Sequence, residues 1–254
     1  MERGDDIESL RGKVSAEEWR ARVDCAALYR LVALHGWDDL IFTHISMRAP
    51  GPEPHFLINP YGMTFEEITA SSLVKVDLDG RIVSETAYGI NAAGFTIHSA
   101  IHAAREDVSC VIHLHAADGV AVSAQKQGLL PLTQHALLVA PWLAYHDYEG
   151  VALELGERDR LVRDLGDKSL MILRNHGTLA AGPDAPLTFC WMYFLEEACR
   201  RQVGALSAGR EGVLEAPPAV REVVREQSKS LALLGFVWPA LLRRLDRNLP
   251  GYDA

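Results

Sequence analysis

The chain has 254 residues, of which 48% are hydrophobic and 23% charged, a composition that suits one large α/β domain or two small ones. Its formal net charge of -9 argues against nucleic acid or an anionic membrane surface as the main partner. A small-molecule substrate stays open, because a local site can differ in charge from the whole. The N-terminus has no apolar signal region and no apolar run approaches ~18 residues, so we expect a cytoplasmic protein without a membrane span.

The first predicted element is a helix over residues 17–36. Ser15 and Glu18 have the spacing of a capping box at its start, and Gly36 is a natural stop at its end. The elements predicted next, up to the middle of the chain, are strands at 41–46 and 55–59, a hairpin at 73–83, a helix at 95–105 and a strand at 109–115.

The second half continues the alternation of helices and strands. It is predicted to contain a helix at 116–126, a strand region within ALLVAPWLAY at 136–145, a helix at 157–166, a strand at 169–175, a long helix at 185–207, a linker at 208–220 and a helical tail at 221–246. Two hairpin-like strand pairs favour a mixed or mostly antiparallel sheet covered by helices over a doubly wound parallel sheet. The predicted organisation is a flexible segment at 1–14, one domain at 15–208, and a linker with a helical tail at 209–254.

The most informative residues are three histidines at the ends of two apolar strands. His113 and His115 are two residues apart, and residues at that spacing share one face of a strand, about 6–7 Å apart at Cα. His176 follows a second apolar strand, directly before Gly177. If both strands end on the same side of the sheet, three imidazoles can share one divalent ion and leave positions open for water or substrate. Such a ligand set suits zinc, iron, cobalt, nickel or copper better than magnesium or calcium.

The other histidines have structural roles as their default interpretation. His98 and His102 are four residues apart on one face of the predicted helix, where packing against the sheet is the simpler explanation. His44, His135 and His146 each lie near a turn or a strand end, and none of them indicates a catalytic role by its position alone.

Four segments of the chain resemble the class II aldolase/adducin superfamily. They are INPYGMTFEEITASSLVKVDLDGRIV, INAAGFTIHSAIHAAREDVSCVIHLHAADGVAVSAQKQGLLPL, LAYHDYEG and LMILRNHGTL. The likeness covers roughly residues 20 to 205 and is closer to the adducin-like branch than to the sugar-phosphate aldolases.

The resemblance implies a three-layer αβα fold with a central, mostly antiparallel or mixed sheet. It also implies a homotetramer with active sites between neighbouring subunits, and one divalent metal per subunit, usually Zn²⁺, with Fe²⁺ as the alternative. The metal would be held by His113, His115 and His176, the same residues that the strand pattern selects.

Several positions depart from the aldolase pattern. The aldolases' acidic residue, a metal ligand and acid/base group, falls on Gly94, and two serines of their phosphate site fall on Ala92 and Ala93. The glycine-asparagine turn that grips phosphate is Thr43-His44 here, and the second phosphate-binding glycine is Gly62, preceded by Tyr61. A phosphorylated sugar held in the usual way is therefore not expected. We assign His44, Tyr61, Gly62 and Gly94 to substrate binding.

Three functions remain open on this basis. The first is a lyase for a small non-phosphorylated hydroxy or keto acid or carbonyl compound, acting by aldol cleavage, decarboxylation or dehydration through a metal-stabilised enolate. His135, which lies near the position of the aldolases' proton-donating tyrosine, or His98 would move the proton, and His44 would hold substrate oxygens. The second is a non-haem iron oxygenase or decarboxylase that uses the same three histidines on an α-keto or α-hydroxy acid. The third is a non-catalytic, adducin-like binding module.

Overall fold

A computed structural model describes residues 7–150, 156–228 and 236–254; of Ala92 and Ala93 it describes the backbone alone. The helices of the described residues are α1 (Ala16–His35), α2 (Ala92–Ala104), α3 (Ala117–Ser123), α4 (Gln134–Val139), α5 (Glu157–Leu165), α6 (Ala185–Leu206), α7 (Pro218–Ser228) and α8 (Val237–Asn248). The strands are β1 (His44–Arg48), β2 (Phe56–Ile58), β3 (Val74–Val76), β4 (Cys110–Leu114), β5 (Leu143–His146), β6 (Leu170–Leu173) and β7 (Gly177–Gly182).

The seven strands form one mixed sheet in the order β3-β2-β1-β4-β7-β6-β5. The pair β5–β6 is parallel, and all the other neighbouring pairs are antiparallel. The prediction of a mostly antiparallel, mixed sheet is therefore confirmed. The register sets His44 of β1 opposite His113 of β4, which lies at the centre of the sheet.

Helices cover both faces of this sheet, as the three-layer prediction requires. Alternate residues of β4 point to opposite faces because side chains alternate along a strand. Ile112 and Leu114 belong to a large apolar cluster with residues of α1 and α6, whereas Val111 packs in a second cluster with residues of α2 and α5. His113 shares the face of Val111 and therefore lies on the side covered by α2.

The first helix begins and ends as predicted. The Ser15 side chain accepts a hydrogen bond from the Glu18 backbone N–H, and Gly36 ends α1 with a φ of 67°. The Glu18 carboxylate does not complete a capping box. It instead accepts hydrogen bonds from Arg22 at 2.9 Å and Lys75 at 2.8 Å.

The predicted strand at 136–145 is wrong over its first half. Residues 134–139 form α4, because the Thr133 hydroxyl accepts a hydrogen bond from the Ala136 N–H and caps a helix there. A 3₁₀ turn containing Pro141 follows, and the strand is confined to Leu143–His146.

The predicted hairpin at 73–83 is also shorter than expected. Val74–Val76 pairs with β2, and the return segment contributes an isolated bridge from Ile82 to Val76. The Asp77 carboxylate accepts hydrogen bonds from the N–H groups of Asp79 and Arg81 and so closes the turn between them.

The segment predicted as a C-terminal tail folds back onto the domain. Helix α8 contacts α1, and Leu245 and Tyr252 are buried in the larger apolar cluster. At the other end, Leu10 donates its N–H to the Ser71 hydroxyl. Parts of both predicted terminal segments, residues 1–6 and 229–235, lie outside the described residues. No helix of the described ranges combines the length and apolarity needed to cross a bilayer.

Candidate metal centre

The three strand-end histidines meet at one point. His113 is the last residue of β4 on the face that α2 covers. His115 lies just beyond that strand, and His176 lies in the turn between β6 and β7. Their ring centroids are 4.8–4.9 Å apart, and one nitrogen from each lies within 4.8 Å of the others. The pairing of β4 with β7 produces this convergence, because it brings Leu114 opposite Thr178.

The turn that carries His176 depends on its two neighbours. Asn175 has a φ of 55°, in the left-handed region that asparagine tolerates better than most residues. Gly177 is needed because two strands approach each other closely at this position. A Cβ there would overlap the backbone oxygen of Leu114, so the close approach of β7 to β4 requires glycine.

Hydrogen bonds orient two of the three imidazoles. His113 Nδ1 donates to the backbone oxygen of Thr178 at 3.0 Å, and His115 Nδ1 donates to the Asp39 carboxylate at 3.0 Å. Because Nδ1 carries the proton in both rings, Nε2 is the bare nitrogen in each neutral imidazole. Nε2 of His115 is buried and has no hydrogen-bond partner among the described residues. Both rings therefore have the tautomer that binds a metal through Nε2.

The electrostatics also suit metal binding. Burial, followed by the proximity of the other imidazoles, lowers the pKa of His113 well below its ordinary value. Burial and the neighbouring His115 lower the pKa of His176 to about 4. Both rings are therefore neutral at physiological pH, the state in which histidine binds a metal. Three imidazole nitrogens fit a divalent transition metal, with positions left for water or substrate.

His44 occupies the space over Gly94. It is 3% exposed, its ring centroid is 6.4 Å from that of His113, and neither ring nitrogen has a hydrogen-bond partner in the described structure. A Cβ at Gly94 would overlap the His44 ring. Burial and the nearby His115 and His176 lower the pKa of His44 to about 3. A neutral imidazole that can both donate and accept thus lies beside the three histidines, where a side chain at position 94 would otherwise be.

His98 lies behind His44 in a second group of polar side chains. Their ring centroids are 6.0 Å apart, and His98 Nδ1 is 2.5 Å from the Ser46 hydroxyl. The same hydroxyl is 2.8 Å from His102 Nε2. His98 therefore neighbours the candidate site through His44, and its Nε2 is buried without a partner in the described structure.

The structure does not bring the remaining sequence candidates to the cluster within one chain. His135 lies on α4 and packs against Phe194 of α6, with the two ring centroids 5.4 Å apart. Tyr61 and Gly62 lie in the turn after β2, where the Tyr61 ring is 42% exposed. Among the described residues, no hydrogen bond or ring contact joins these three to His113, His115 or His176.

Three residues near the cluster escaped the sequence analysis. Asp39 bonds His115, Ser46 bonds His98, and the Tyr148 ring centroid lies 6.4 Å from that of His176. Tyr148 lies in the LAYHDYEG segment, so its family likeness was a usable signal. Asp39 and Ser46 had no comparable signal, because their partners are 76 and 52 residues away along the chain.

The sheet order, the helical layers and the three-histidine cluster define an α/β protein of the class II aldolase type. The family model described as Class II Aldolase and Adducin N-terminal domain matches residues 23–203, and the chain belongs to this family. A Caulobacter vibrioides relative, provisionally named an aldolase class 2 protein, is 65% identical over 96% of both chains.

Two solved structures support the same assignment. An aldolase II superfamily protein from Pseudomonas syringae is 52% identical, with a TM-score of 0.93 over 97% of this chain and 100% of that one. L-fuculose 1-phosphate aldolase from Glaciozyma antarctica is 25% identical, with a TM-score of 0.80 over 92% of this chain and 93% of that one.

Proposed function

We propose that this protein is a divalent-metal-dependent lyase that acts on a small, non-phosphorylated hydroxy or keto acid or carbonyl compound. The observation that carries the proposal is the convergence of His113, His115 and His176, with their ligand atoms within 4.8 Å of one another. The aldolases of the class II aldolase and adducin family support a lyase over other metal-dependent reactions. We propose Zn²⁺ as the native ion.

Each candidate residue would have a separate role in such a reaction. A bound divalent cation supplies Lewis-acid polarisation of a substrate oxygen. His113, His115 and His176 would hold the cation. His44 offers a donor or an acceptor to substrate oxygens, and His98 behind it is the second group able to hold a proton. His135 would take part only from a neighbouring subunit, as in the homotetramer with shared active sites that we also propose.

The environment of His44 supports a substrate without a phosphate group. Its low pKa keeps this ring neutral, so it brings no positive charge to a phosphate dianion. Gly94 contributes no side chain, and the overlying ring fills its space. Tyr61 and Gly62 stay in the proposal as substrate-binding residues, on the family likeness alone.

Metal analysis of protein purified without added metal tests the proposal. We expect about one zinc ion per chain, and cleavage of at least one compound in a screen of hydroxy and keto acids with the zinc-loaded protein. His113→Ala should lose both, because two imidazoles hold zinc far less tightly than three. His55→Ala is the matched control, since the hydrogen bonds of His55 within the described structure are made by its backbone in a loop. Wild-type protein that binds no divalent ion would contradict the proposal.

The same measurement separates two further candidates. Imidazole ligands also suit iron, so the iron-dependent oxygenase is the second candidate for the three-histidine cluster. Bound iron with oxygen consumption on a keto acid would replace the lyase by this function. Absence of metal together with normal folding of His113→Ala would favour the non-catalytic module, the adducin side of the family.

A further inference from the structure

We propose that Asp39 is a positioning residue of the metal centre, which sets the affinity for the ion by fixing the orientation and tautomer of His115. The proposal rests on the metal site of the proposed function and adds a residue that its ligand set does not include. Asp39 Oδ2 lies 3.0 Å from His115 Nδ1, with the two side chains 44% and 24% exposed. The contact joins the α1–β1 loop to the residue that follows β4.

A carboxylate fixes the tautomer of this ring more firmly than a neutral acceptor does. An ionised carboxylate can only accept hydrogen bonds, so His115 Nδ1 must donate and its Nε2 must be bare. The same hydrogen bond fixes the rotation of the ring, so that Nε2 points away from Asp39. His113 obtains its orientation from a backbone oxygen within the sheet, whereas His115 lies beyond the last residue of β4. His115, which lacks the support of the strand, is instead held by a carboxylate.

The loop that carries Asp39 contains a strained backbone conformation. Leu40, the next residue, has a φ of 53°, in the left-handed region that an L residue adopts only under constraint. Its side chain is 67% exposed, so little burial offsets the strain. The Asp39 backbone oxygen accepts a hydrogen bond from Phe42 N–H, and Trp37 stacks on His35 at 4.5 Å. The loop is thus fixed on both sides of Asp39.

Zinc affinity, measured by competition with a chromogenic chelator, tests the role of Asp39. We expect Asp39→Ala to weaken zinc binding by about 10- to 100-fold. Asp39→Asn should lose less, because its amide oxygen can still accept from Nδ1, and Asp39→Glu should recover part of the affinity. Asp38→Asn removes the same charge one residue away and should bind zinc as the wild type does. The visible spectrum of the Co²⁺-loaded protein should change in Asp39→Ala and stay unchanged in Asp38→Asn.

A second measurement separates positioning from simple structural support. The melting temperature of metal-free Asp39→Ala should match that of the metal-free wild type, since its carboxylate is half exposed. Unchanged zinc affinity in Asp39→Ala, or a parallel fall of affinity and metal-free melting temperature, would overturn the proposal. Failure of the wild type to bind zinc would instead overturn the proposed function, so the two failures are distinguishable.

Discussion

His44 and Gly94 show how far single residues could be predicted. The sequence shows that no carboxylate is present at position 94, and it places His113, His115 and His176 on two strand ends. It does not show that the His44 ring fills the space over Gly94, because that contact joins residues 50 positions apart through the packing of α2 on β1. Periodicity predicts which face a residue occupies, but not which distant side chain meets it.

Because the His44 ring fills the space over Gly94, substitutions at these two positions should have non-additive effects on the free energy of unfolding. Gly94→Ala should destabilise the protein by about 1–3 kcal/mol, because the new methyl group would overlap a buried ring fixed to a strand. In a His44→Ala background the same substitution should cost little, since the ring is no longer there. Urea unfolding of the wild type, both single variants and the double variant measures the interaction energy. Additive free energies would show that the two residues do not share this space.

The buried carboxyl of Glu196 should make the stability of the protein depend on pH, with or without a bound metal. It is 2% exposed on α6, on the opposite face of the sheet from His113, and burial raises the pKa of its carboxyl to about 8 from 4.5. The folded state therefore holds a proton that the unfolded chain releases above pH 4.5. Its stabilising contribution is complete below pH 4.5 and is lost as the pH rises through about 8.

Glu196→Gln should remove this part of the pH dependence. An amide keeps the acceptor for the Thr178 hydroxyl, which lies 2.5 Å from the Glu196 carboxyl, and carries no charge to bury. At pH 8.5 the variant should be more stable than the wild type by roughly 1–3 kcal/mol, and the difference should shrink towards pH 5. The check is urea unfolding of both proteins across this range. Parallel curves of unfolding free energy against pH would mean that Glu196 does not titrate in this way.

At the scale of helices and strands, the sequence predicts where an element lies better than whether it is a helix or a strand. The helices α1 and α6 and the strands β4 and β6 lie where their patterns indicate, because caps and long apolar series mark them. Helix α4 is only six residues long, and the apolar run in so short a segment fits a helix and a strand equally well. The Thr133 cap decided the outcome, and its effect depends on α4 packing against α6.

Loops carry the part of the candidate site that no pattern predicts. The segment between α1 and β1 supplies Asp39 on one side of the cluster and leads directly into His44 on the other. Its conformation depends on tertiary contacts rather than on turn residues, since Leu40 adopts a positive φ without being glycine or asparagine. The pairing of the strands therefore brings the three candidate histidines together, and this loop supplies the carboxylate that contacts one of them.

At the scale of the whole molecule, the C-terminal residues close the domain. After α8 the chain reaches the segment before β3, where the backbone oxygens of Tyr252 and Ala254 accept hydrogen bonds from the N–H groups of Ala70 and Ser71 at 2.9 and 3.0 Å. The Arg30 guanidinium donates to the backbone oxygen of Pro250. These contacts join residues 180 or more positions apart, so the sequence indicated a tail where the structure has part of the core.

Tyr252 tests whether this closure stabilises the domain without affecting the metal centre. Its side chain is 8% exposed within the larger core cluster, and its hydroxyl donates to Asp246 at 3.0 Å. Tyr252→Ala should destabilise the protein by about 3–5 kcal/mol, through lost burial and a cavity. Tyr252→Phe removes one partly exposed hydrogen bond and should cost about 1 kcal/mol or less.

Urea unfolding at one protein concentration compares these variants, and zinc competition at low urea measures the site in the same samples. Zinc affinity should be unchanged in both, because His113 lies on the face of the sheet that α2 covers, whereas Tyr252 packs with α1 and α8 on the other face. Equal costs for the two substitutions would mean that the ring is not part of the core. Loss of zinc affinity in folded Tyr252→Ala would show that the closure and the metal centre are coupled through the sheet.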